Sequence, residues 1–239
     1  MSIVVFARLD SQRLPGKALA MLAGRPLLGH VIARVRRAGL PVIIATSDRE
    51  LDNPIAIFAQ SEGVQCFRGH TTDVAQRALA CLDAFCLDAL VRISGDSPFI
   101  DPNIIRDVVR VFENKNAPDI VTNTFPRTFP PGQSVEVIDK AAMRRVVAHA
   151  SDEEREHVTQ HIYGNPESFR IINCASSIEY RDVNLTVDTE VDLERARSLF
   201  SSGVTEKTSL DQIVKLAREY DAQMRGAIDS SAKPIVTAD

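Results

Sequence analysis

The chain has 239 residues, and 44% of them are hydrophobic, which is enough for one large α/β domain with a sizeable core. A net charge of −4 and the lack of Trp argue against nucleic-acid binding, which draws on phosphate attraction and base stacking. No apolar run approaches the ~20 residues of a membrane span, and Ile3–Ala7 is too short for a secretory signal. We therefore expect a cytoplasmic protein that binds neither nucleic acid nor membrane. Its cysteines lack C-x-x-C spacing, and we expect them to be reduced and mostly buried: Cys66, Cys81, Cys86 and Cys174.

The first predicted element is a buried strand at Ile3–Phe6, followed by a polar loop over Ala7–Lys17. A loop at the carboxyl end of the first strand of an α/β sheet is where nucleotides usually bind. Arg8, Arg13 and Lys17 are crowded into this loop, and a triphosphate is the anion that best matches their charges. The alternative is a solvated charged surface, which is the commoner fate of charged segments.

Two familiar phosphate-binding motifs are absent. The P-loop ends in G-K-[ST], whereas Gly16 and Lys17 are followed here by Ala18. The dinucleotide fingerprint G-x-G-x-x-G is also missing. Side-chain cations, rather than glycine backbone, would therefore hold the phosphates.

Beyond the loop, the hydrophobic pattern alternates between helix and strand. This alternation predicts a parallel sheet covered by helices on both faces. The predicted helices lie at about 26–39, 51–62, 73–86 and from 101 onward, and the predicted strands at about 42–45, 64–67, 90–94 and 119–122.

From about residue 124 the rhythm changes. A loop rich in proline is expected at 125–132, followed by strands at 134–138, 169–174 and 185–187, with helices at 140–149, 152–162, 189–200 and 208–222. We interpret residues 1–225 as a single domain with a small β-rich excursion at about 125–180. Residues 226–239 are predicted to form a polar tail.

Two aspartates follow predicted strands. Asp96 comes after the strand at 90–94, and Asp188 after the strand at 185–187. Each alone could be a turn former or a helix cap. Together, close to a cationic loop, they would offer the carboxylates that Mg²⁺ prefers beside substrate phosphates.

The loop also resembles a family signature. Sugar nucleotidyltransferases that activate acidic sugars with CTP carry the pattern A-R-x-x-S-x-R-L-P-G-K-x-L, which is matched here by Ala7, Arg8, Ser11, Arg13, Leu14, Pro15, Gly16, Lys17 and Leu19. Segments 68–77, 95–98 and 187–193 resemble further family patterns, R-G-x-x-x-D-V-x-x-R, G-D-x-P and V-D-T-x-x-D-L. The nearest resemblance is to the spore coat polysaccharide cytidylyltransferases, relatives of the 3-deoxy-manno-octulosonate and acylneuraminate enzymes. Phe6, Gln12 and Ser97 depart from the family, which tends to carry Gln, Thr and Cys there.

The resemblance implies a Rossmann-like, GT-A-like nucleotide-diphospho-sugar transferase fold and a homodimer. It also implies a catalytic role for Arg8, Arg13 and Lys17, and Mg²⁺ on Asp96 and Asp188. Nucleotide contacts are expected from Ala7, Arg8, Ser11, Arg13, Lys17, Asp73, Arg77 and Asp96, and sugar-acid contacts from Glu136, Glu156 and His157.

Some of these residues have plainer alternatives. Asp73 and Arg77 could form an ion pair across one helical turn. His157 could be a structural histidine. Glu136 alternates with Val135 and Val137, so it should face the opposite side of the sheet.

The implied reaction is cytidylyl transfer from CTP to a keto-deoxy sugar acid, giving a CMP-sugar and pyrophosphate for surface polysaccharide or glycan synthesis. Two alternatives remain: a nucleotidyl- or glycosyltransferase that uses another nucleotide, and a non-catalytic nucleotide-binding subunit. Fold alone does not choose among them.

Overall fold

A seven-stranded sheet forms the centre of the protein. The structure is a computed structural model that describes residues 1–178, 180 and 182–231. Within this part of the chain the strands are β1 (Ser2–Phe6), β2 (Met21–Leu22), β3 (Arg25–Pro26), β4 (Val42–Ser47), β5 (Gln65–Gly69), β6 (Ala89–Ser94), β7 (Ile120–Thr122), β8 (Glu136–Asp139) and β9 (Ile171–Asn173). All of them join the main sheet except β2 and β3, which form a small antiparallel hairpin.

The strand order β5-β4-β1-β6-β8-β7-β9 places β1 between two parallel neighbours. Phe6 pairs with Ala45 on one side and with Ser94 on the other, so β1, β4 and β6 end at the same edge. β8 runs antiparallel to both β6 and β7. The mostly parallel α/β sheet predicted from the sequence is confirmed.

Helices cover both faces of the sheet. The described helices are α1 (Leu27–Val35), α2 (Asn53–Ser61), α3 (Val74–Ala84), α4 (Pro102–Asn114), α5 (Lys140–His149), α6 (Asp152–Glu156), α7 (Gln160–Gly164), α8 (Glu190–Ser201) and α9 (Leu210–Ser231). Alternate residues of a strand point to opposite faces. Ile3 and Val5 therefore pack with α1, α2, α4, α8 and α9, while Val4 packs with α3, α5 and α7.

Two of the later predicted elements were wrong. The helix expected at 152–162 is divided into α6 and α7, because His157 leaves the helical region with φ −111° and ψ 80°. The strand expected at 185–187 joins no sheet. Its backbone instead donates to two separate segments, Leu185 N to Pro131 O (2.9 Å) and Val187 N to Asp96 O (3.0 Å).

Other boundaries also differ. The excursion at 125–180 contributes β8 and β9 to the main sheet, together with α5, α6 and α7. The final helix continues to Ser231 rather than ending at 222, so the predicted tail begins as helix, and 232–239 lie outside the described residues. All four cysteines are free, but only Cys81 is buried and Cys86 is exposed, so the expectation of mostly buried thiols was wrong. Among the described helices, none combines the length and apolar character that crossing a membrane requires.

Candidate active site

A cleft of about 730 Å³ opens at the carboxyl edge of β1 and β6. Gly95 lets these two strands end close together, because a Cβ at this position would lie 2.8 Å from the carbonyl oxygen of Phe6. Nine of the sequence-predicted site residues line this cleft: Ala7, Arg8, Ser11, Arg13, Lys17, Asp96, Glu156, His157 and Asp188. The structure thus brings together residues that are up to 181 positions apart in the chain.

Asp52 fixes the cationic loop to the body of the protein. Its side chain is completely buried, and its Oδ1 accepts a hydrogen bond from the Leu9 backbone N–H at 2.8 Å. Its Oδ2 accepts from Arg49 at 3.0 Å and from the hydroxyl of Ser47. The loop also closes on itself, since Gly16 N donates to Leu9 O at 2.8 Å. The loop that carries the cations is therefore held in one shape by buried polar contacts.

Arg8 lies on the wall of the cleft between two carboxylates. Its Nε lies 3.5 Å from Asp10 Oδ1, and its Nη2 lies 3.6 Å from Glu156 Oε1. Its Nη1 donates to Thr71 O at 2.8 Å. The hydrogen bond from Arg49, helped by the charges of Arg8 and Arg49, holds the pKa of Asp10 below its ordinary value despite partial burial. Asp10 is therefore a permanent negative charge beside Arg8 near neutral pH.

Lys17 connects the two predicted metal ligands. Its Nζ donates to Asp188 Oδ1 at 2.7 Å, to Asp96 Oδ2 at 3.1 Å and to Val187 O at 3.0 Å. Arg13 Nη2 adds a second cation, 3.1 Å from Asp188 Oδ2. The cations that the sequence indicated for phosphate are thus paired internally with carboxylates of the same cleft.

The loop before α8 positions Asp188. Thr189 caps this helix, and Asp192 accepts hydrogen bonds from the backbone N–H groups of Thr189 (2.8 Å) and Asp188 (3.1 Å). Burial alone would raise the pKa of Asp188, but the hydrogen bond from Lys17 and the charges of Lys17 and Arg13 hold it below its ordinary value. Gly132 helps to place the same segment, because its φ of +91° and its lack of a side chain allow close contact with Leu185.

Asp96 and Asp188 could together hold a divalent cation. They already share one cation, the Lys17 ammonium, so their carboxylates converge on a common point. Among the described residues, no group of three or more His, Cys, Asp or Glu side chains converges in the same way. The donor set is two carboxylates, which suits a metal that takes its other ligands from phosphates and water.

Three predicted site residues, Arg77, Asp73 and Glu136, are not among the residues that line the cleft. Arg77 is 1% exposed because it follows Val74 on the inner face of α3, and its Nη1 donates to the carbonyls of His70 (2.9 Å) and Thr71 (3.3 Å). Burial lowers its pKa to about 10, so it remains charged near neutral pH. Asp73 caps α3 and pairs with Arg155 at 3.1 Å, so the ion pair with Arg77 that the spacing allowed does not form.

Glu136 is the third of these residues. It lies opposite Arg92 in the β6–β8 ladder, and the two side chains form an ion pair. Its Oε1 accepts hydrogen bonds from Thr159 (3.0 Å) and Tyr163 (2.6 Å). Tyr163 belongs to α7, which packs on the face of the sheet opposite Val135 and Val137. Glu136 therefore lies on the face that the alternation predicted. Glu136 is 3% exposed, and its carboxylate oxygens are occupied by Arg92, Thr159 and Tyr163.

Sequence reasoning missed Asp52, Asp10 and Arg49. For Arg49 and Asp52 the signal was the charged run from Asp48 to Asp52, which follows β4 at the cleft edge, whereas Asp10 lies in the cationic loop itself. Charged residues at such a strand end are normally solvated, and only the fold shows that Asp52 turns inward to hold the loop.

A cationic loop facing paired carboxylates, at the carboxyl edge of a mostly parallel sheet, is the arrangement expected at the nucleotide site of a nucleotidyltransferase. Comparison with known proteins gives the family. Residues 2–235 match the cytidylyltransferase family, and the chain belongs to it. The resemblance inferred from the loop is thereby confirmed.

Curated relatives span nearly the whole chain. The spore coat polysaccharide biosynthesis protein SpsF of Bacillus subtilis is 27% identical, and the match covers 89% of this chain and 92% of the relative. The 3-deoxy-manno-octulosonate cytidylyltransferase of Idiomarina loihiensis is 28% identical, covering 84% and 99%.

Solved structures agree with the fold. A cytidylyltransferase from Leptospira borgpetersenii superposes with a TM-score of 0.87 at 26% identity, covering 99% of this chain and 98% of the other. A CMP:2-keto-3-deoxy-manno-octonic acid synthetase solved with CTP gives a TM-score of 0.66 at 19% identity, covering 85% and 99%. At that identity the second comparison supports the fold alone.

Proposed function

We propose that this cytidylyltransferase transfers CMP from CTP to a hydroxyl group of an acidic sugar, in a pathway for surface polysaccharide or glycan synthesis. The observation that carries the proposal is the meeting of Lys17, Asp96 and Asp188 within 3.1 Å, beside Arg13 and in the same cleft as Arg8. Cations for a triphosphate and carboxylates for a metal converge there. The family membership and the names of the relatives support the nucleotide and the sugar class.

In the proposed reaction, the sugar hydroxyl oxygen attacks the α-phosphorus of CTP. A new P–O bond forms in line with the bond to the β-phosphate, which breaks, so that pyrophosphate leaves and the hydroxyl proton is released. Positioning and charge stabilisation account for most of the acceleration in chemistry of this kind. Lys17, Arg13 and Arg8 would bind the β- and γ-phosphates and neutralise the charge that grows on the leaving pyrophosphate.

Asp96 and Asp188 would hold Mg²⁺, with phosphate oxygens and water as its remaining ligands. A bound Mg²⁺ supplies Lewis-acid polarisation of the α-phosphate and favours the ionised form of a nearby hydroxyl. Metal binding requires ionised carboxylates, and the lowered pKa of Asp188 favours the ionised form of that side chain near neutral pH.

Glu156 and His157 lie on the cleft wall at the end of α6 and are proposed to contact the sugar acid. Keto-deoxy acids of eight or nine carbons are the proposed class, since one curated relative is named for 3-deoxy-manno-octulosonate. Ala7 and Ser11 also line the cleft and are proposed to contact the nucleotide. Homodimer formation and a cytoplasmic location remain predictions.

The test is a pyrophosphate-release assay with Mg²⁺, offering each of the four nucleoside triphosphates against a panel of sugar acids. We expect release with CTP and one acid only, and mass spectrometry should find the matching CMP-sugar. Release with a different triphosphate would move the assignment to another nucleotidyltransferase. Tight CTP binding without pyrophosphate release across the panel would favour the alternative hypothesis of a non-catalytic nucleotide-binding subunit.

A further inference from the structure

The ammonium of Lys17 has all of its hydrogen bonds satisfied within the protein. An ammonium offers three N–H donors, and the Lys17 Nζ has three acceptors: Asp188 Oδ1 at 2.7 Å, Asp96 Oδ2 at 3.1 Å and Val187 O at 3.0 Å. The side chain is only 13% exposed. In this arrangement Lys17 has no free donor for a phosphate, although its position in the loop assigns it to one.

A divalent cation on the same carboxylates would compete with Lys17. Mg²⁺ lies about 2.0–2.1 Å from its oxygen ligands, well inside the distances at which Lys17 binds the same oxygens. Two cations so close together repel each other strongly in a partly buried site. Metal binding to both aspartates therefore requires the ammonium to move away, and a triphosphate is the partner that could accept it.

We infer that Lys17 is an exchangeable counter-cation, which bridges Asp96 and Asp188 until a metal ion replaces it and a triphosphate receives it. This inference rests on the proposed function for its nucleotide half. Its consequence is that metal and triphosphate promote each other's binding. A metal on the aspartates frees Lys17 for the phosphates, and a triphosphate that binds Lys17 leaves the aspartates free for the metal. Such coupling is reciprocal by thermodynamic necessity.

Arg13 provides a matched control. Like Lys17 it places one positive charge beside Asp188, with Nη2 3.1 Å from Oδ2. Unlike Lys17 it does not bridge the two aspartates, and its side chain is 66% exposed. Replacing either residue by Met removes one charge near Asp188, but only the Lys17 substitution removes the bridge.

The experiment measures Mn²⁺ binding without nucleotide, from the electron paramagnetic resonance signal of free Mn²⁺. The proteins are wild type, Lys17→Met and Arg13→Met. We expect Lys17→Met to bind Mn²⁺ about tenfold more tightly than wild type, which is the size typical of such coupling, and Arg13→Met to gain clearly less. Adding Asp188→Asn to Lys17→Met should abolish the gain in Mn²⁺ affinity, which would show that the metal binds at Asp188. A gain by Lys17→Met that does not exceed the gain by Arg13→Met would overturn the inference.

Thermal unfolding gives a second readout that needs neither nucleotide nor turnover. Lys17→Met leaves two neighbouring carboxylates without their bridging cation, so its Tm should fall below that of wild type in chelator and should rise more than that of wild type with added Mg²⁺. An equal Mg²⁺-induced rise in both proteins would contradict the exchange. Failure of pyrophosphate release with CTP would end the proposed function without touching these metal measurements, so the two failures can be told apart.

Discussion

At the scale of single residues, Glu136 shows how a carboxylate near a cleft can serve structure. Its oxygens accept hydrogen bonds from Arg92, Thr159 and Tyr163. Burial is the largest cause that raises the pKa of Tyr163, and the negative charge of Glu136 is the next. Thr159 immediately precedes α7 and Tyr163 lies within it, shortly after the cleft residues Glu156 and His157. Glu136 therefore positions the segment proposed to contact the sugar.

Glu136→Gln should lower the free energy of unfolding by about 2 kcal/mol, because Glu136 is buried and Arg92, whose side chain is 26% exposed, would lose its charged hydrogen-bond partner. Urea unfolding followed by circular dichroism measures this. The control is Glu156→Gln, the same substitution at a side chain that is 51% exposed, where we expect a change of about 0.5 kcal/mol or less. Equal stability of the two variants would contradict the structural role of Glu136.

The same residue shows the limit of sequence reasoning at this scale. Alternation with Val135 and Val137 correctly predicted the face on which Glu136 lies, because the period of a strand is fixed. It did not predict burial or partners, since Arg92, Thr159 and Tyr163 lie 23 to 44 residues away and meet it only in the fold. The burial of Arg77 was likewise not predicted, because its contacts with the carbonyls of His70 and Thr71 form only in the fold.

At the scale of elements, long segments with a regular hydrophobic period were predictable. Short segments held by hydrogen bonds to distant parts of the chain were not. The helices α4 and α5 and the central strands follow from hydrophobic spacing alone. The segment before Asp188 looked like a strand because Leu185 and Val187 are apolar and buried, yet its backbone hydrogen bonds are split between Pro131 and Asp96. Pattern reveals burial, but not whether a neighbouring strand is present.

The cap of α8 should control both stability and metal binding. Asp192→Ala removes the acceptor for the backbone of Thr189 and Asp188, so we expect a loss of about 1 kcal/mol in unfolding free energy. Because the cap orients Asp188, Mn²⁺ affinity should also fall by about tenfold, as is usual when a supporting partner of a ligand is lost. Urea unfolding and Mn²⁺ titration measure the two effects.

Asp139→Ala is the matched control. Asp139 caps α5 by accepting from Ala141 N at 2.7 Å, and it pairs with Ala89 at the opposite edge of the sheet from the cleft. This variant should lose similar stability and keep its Mn²⁺ affinity. Parallel losses of metal affinity in both variants would show that the α8 cap has no special link to Asp188.

At the scale of the whole molecule, the sequence predicted where the site would form, but not which carboxylates would neutralise its cations. Strand–helix alternation places the ends of β1 and β6 at one edge, so the loop cations and Asp96 had to be neighbours. Arg8, Arg13 and Lys17 were expected to need an external anion. The structure instead pairs them with Asp10 of the same loop and with the distant Glu156, Asp96 and Asp188, and these distant pairs have no local signature in the sequence.

Arg34 joins the first helix to the last part of the chain. It is 2% exposed, and its guanidinium donates to the carbonyls of Ile100 (2.6 Å), Thr205 (2.9 Å) and Thr208 (2.9 Å). Burial lowers its pKa to about 10, so it stays charged near neutral pH. In the sequence Arg34 looks like its neighbours Arg36 and Arg37, which are exposed.

Arg34→Lys should therefore destabilise the whole fold, by about 2 kcal/mol, because an ammonium cannot reproduce the planar fork that meets three separate carbonyls, and an unmet carbonyl at the buried Ile100 is costly. Arg37→Lys is the control, since Arg37 is exposed and donates to Glu206 of the same segment, and it should change stability by no more than about 0.5 kcal/mol. Urea unfolding monitored at two wavelengths would measure both variants. If these hydrogen bonds join α1 and the segment 205–208 into one cooperative unit, Arg34→Lys should shift a single transition. A separate early transition would show instead that the segment around 205–208 unfolds independently of the sheet.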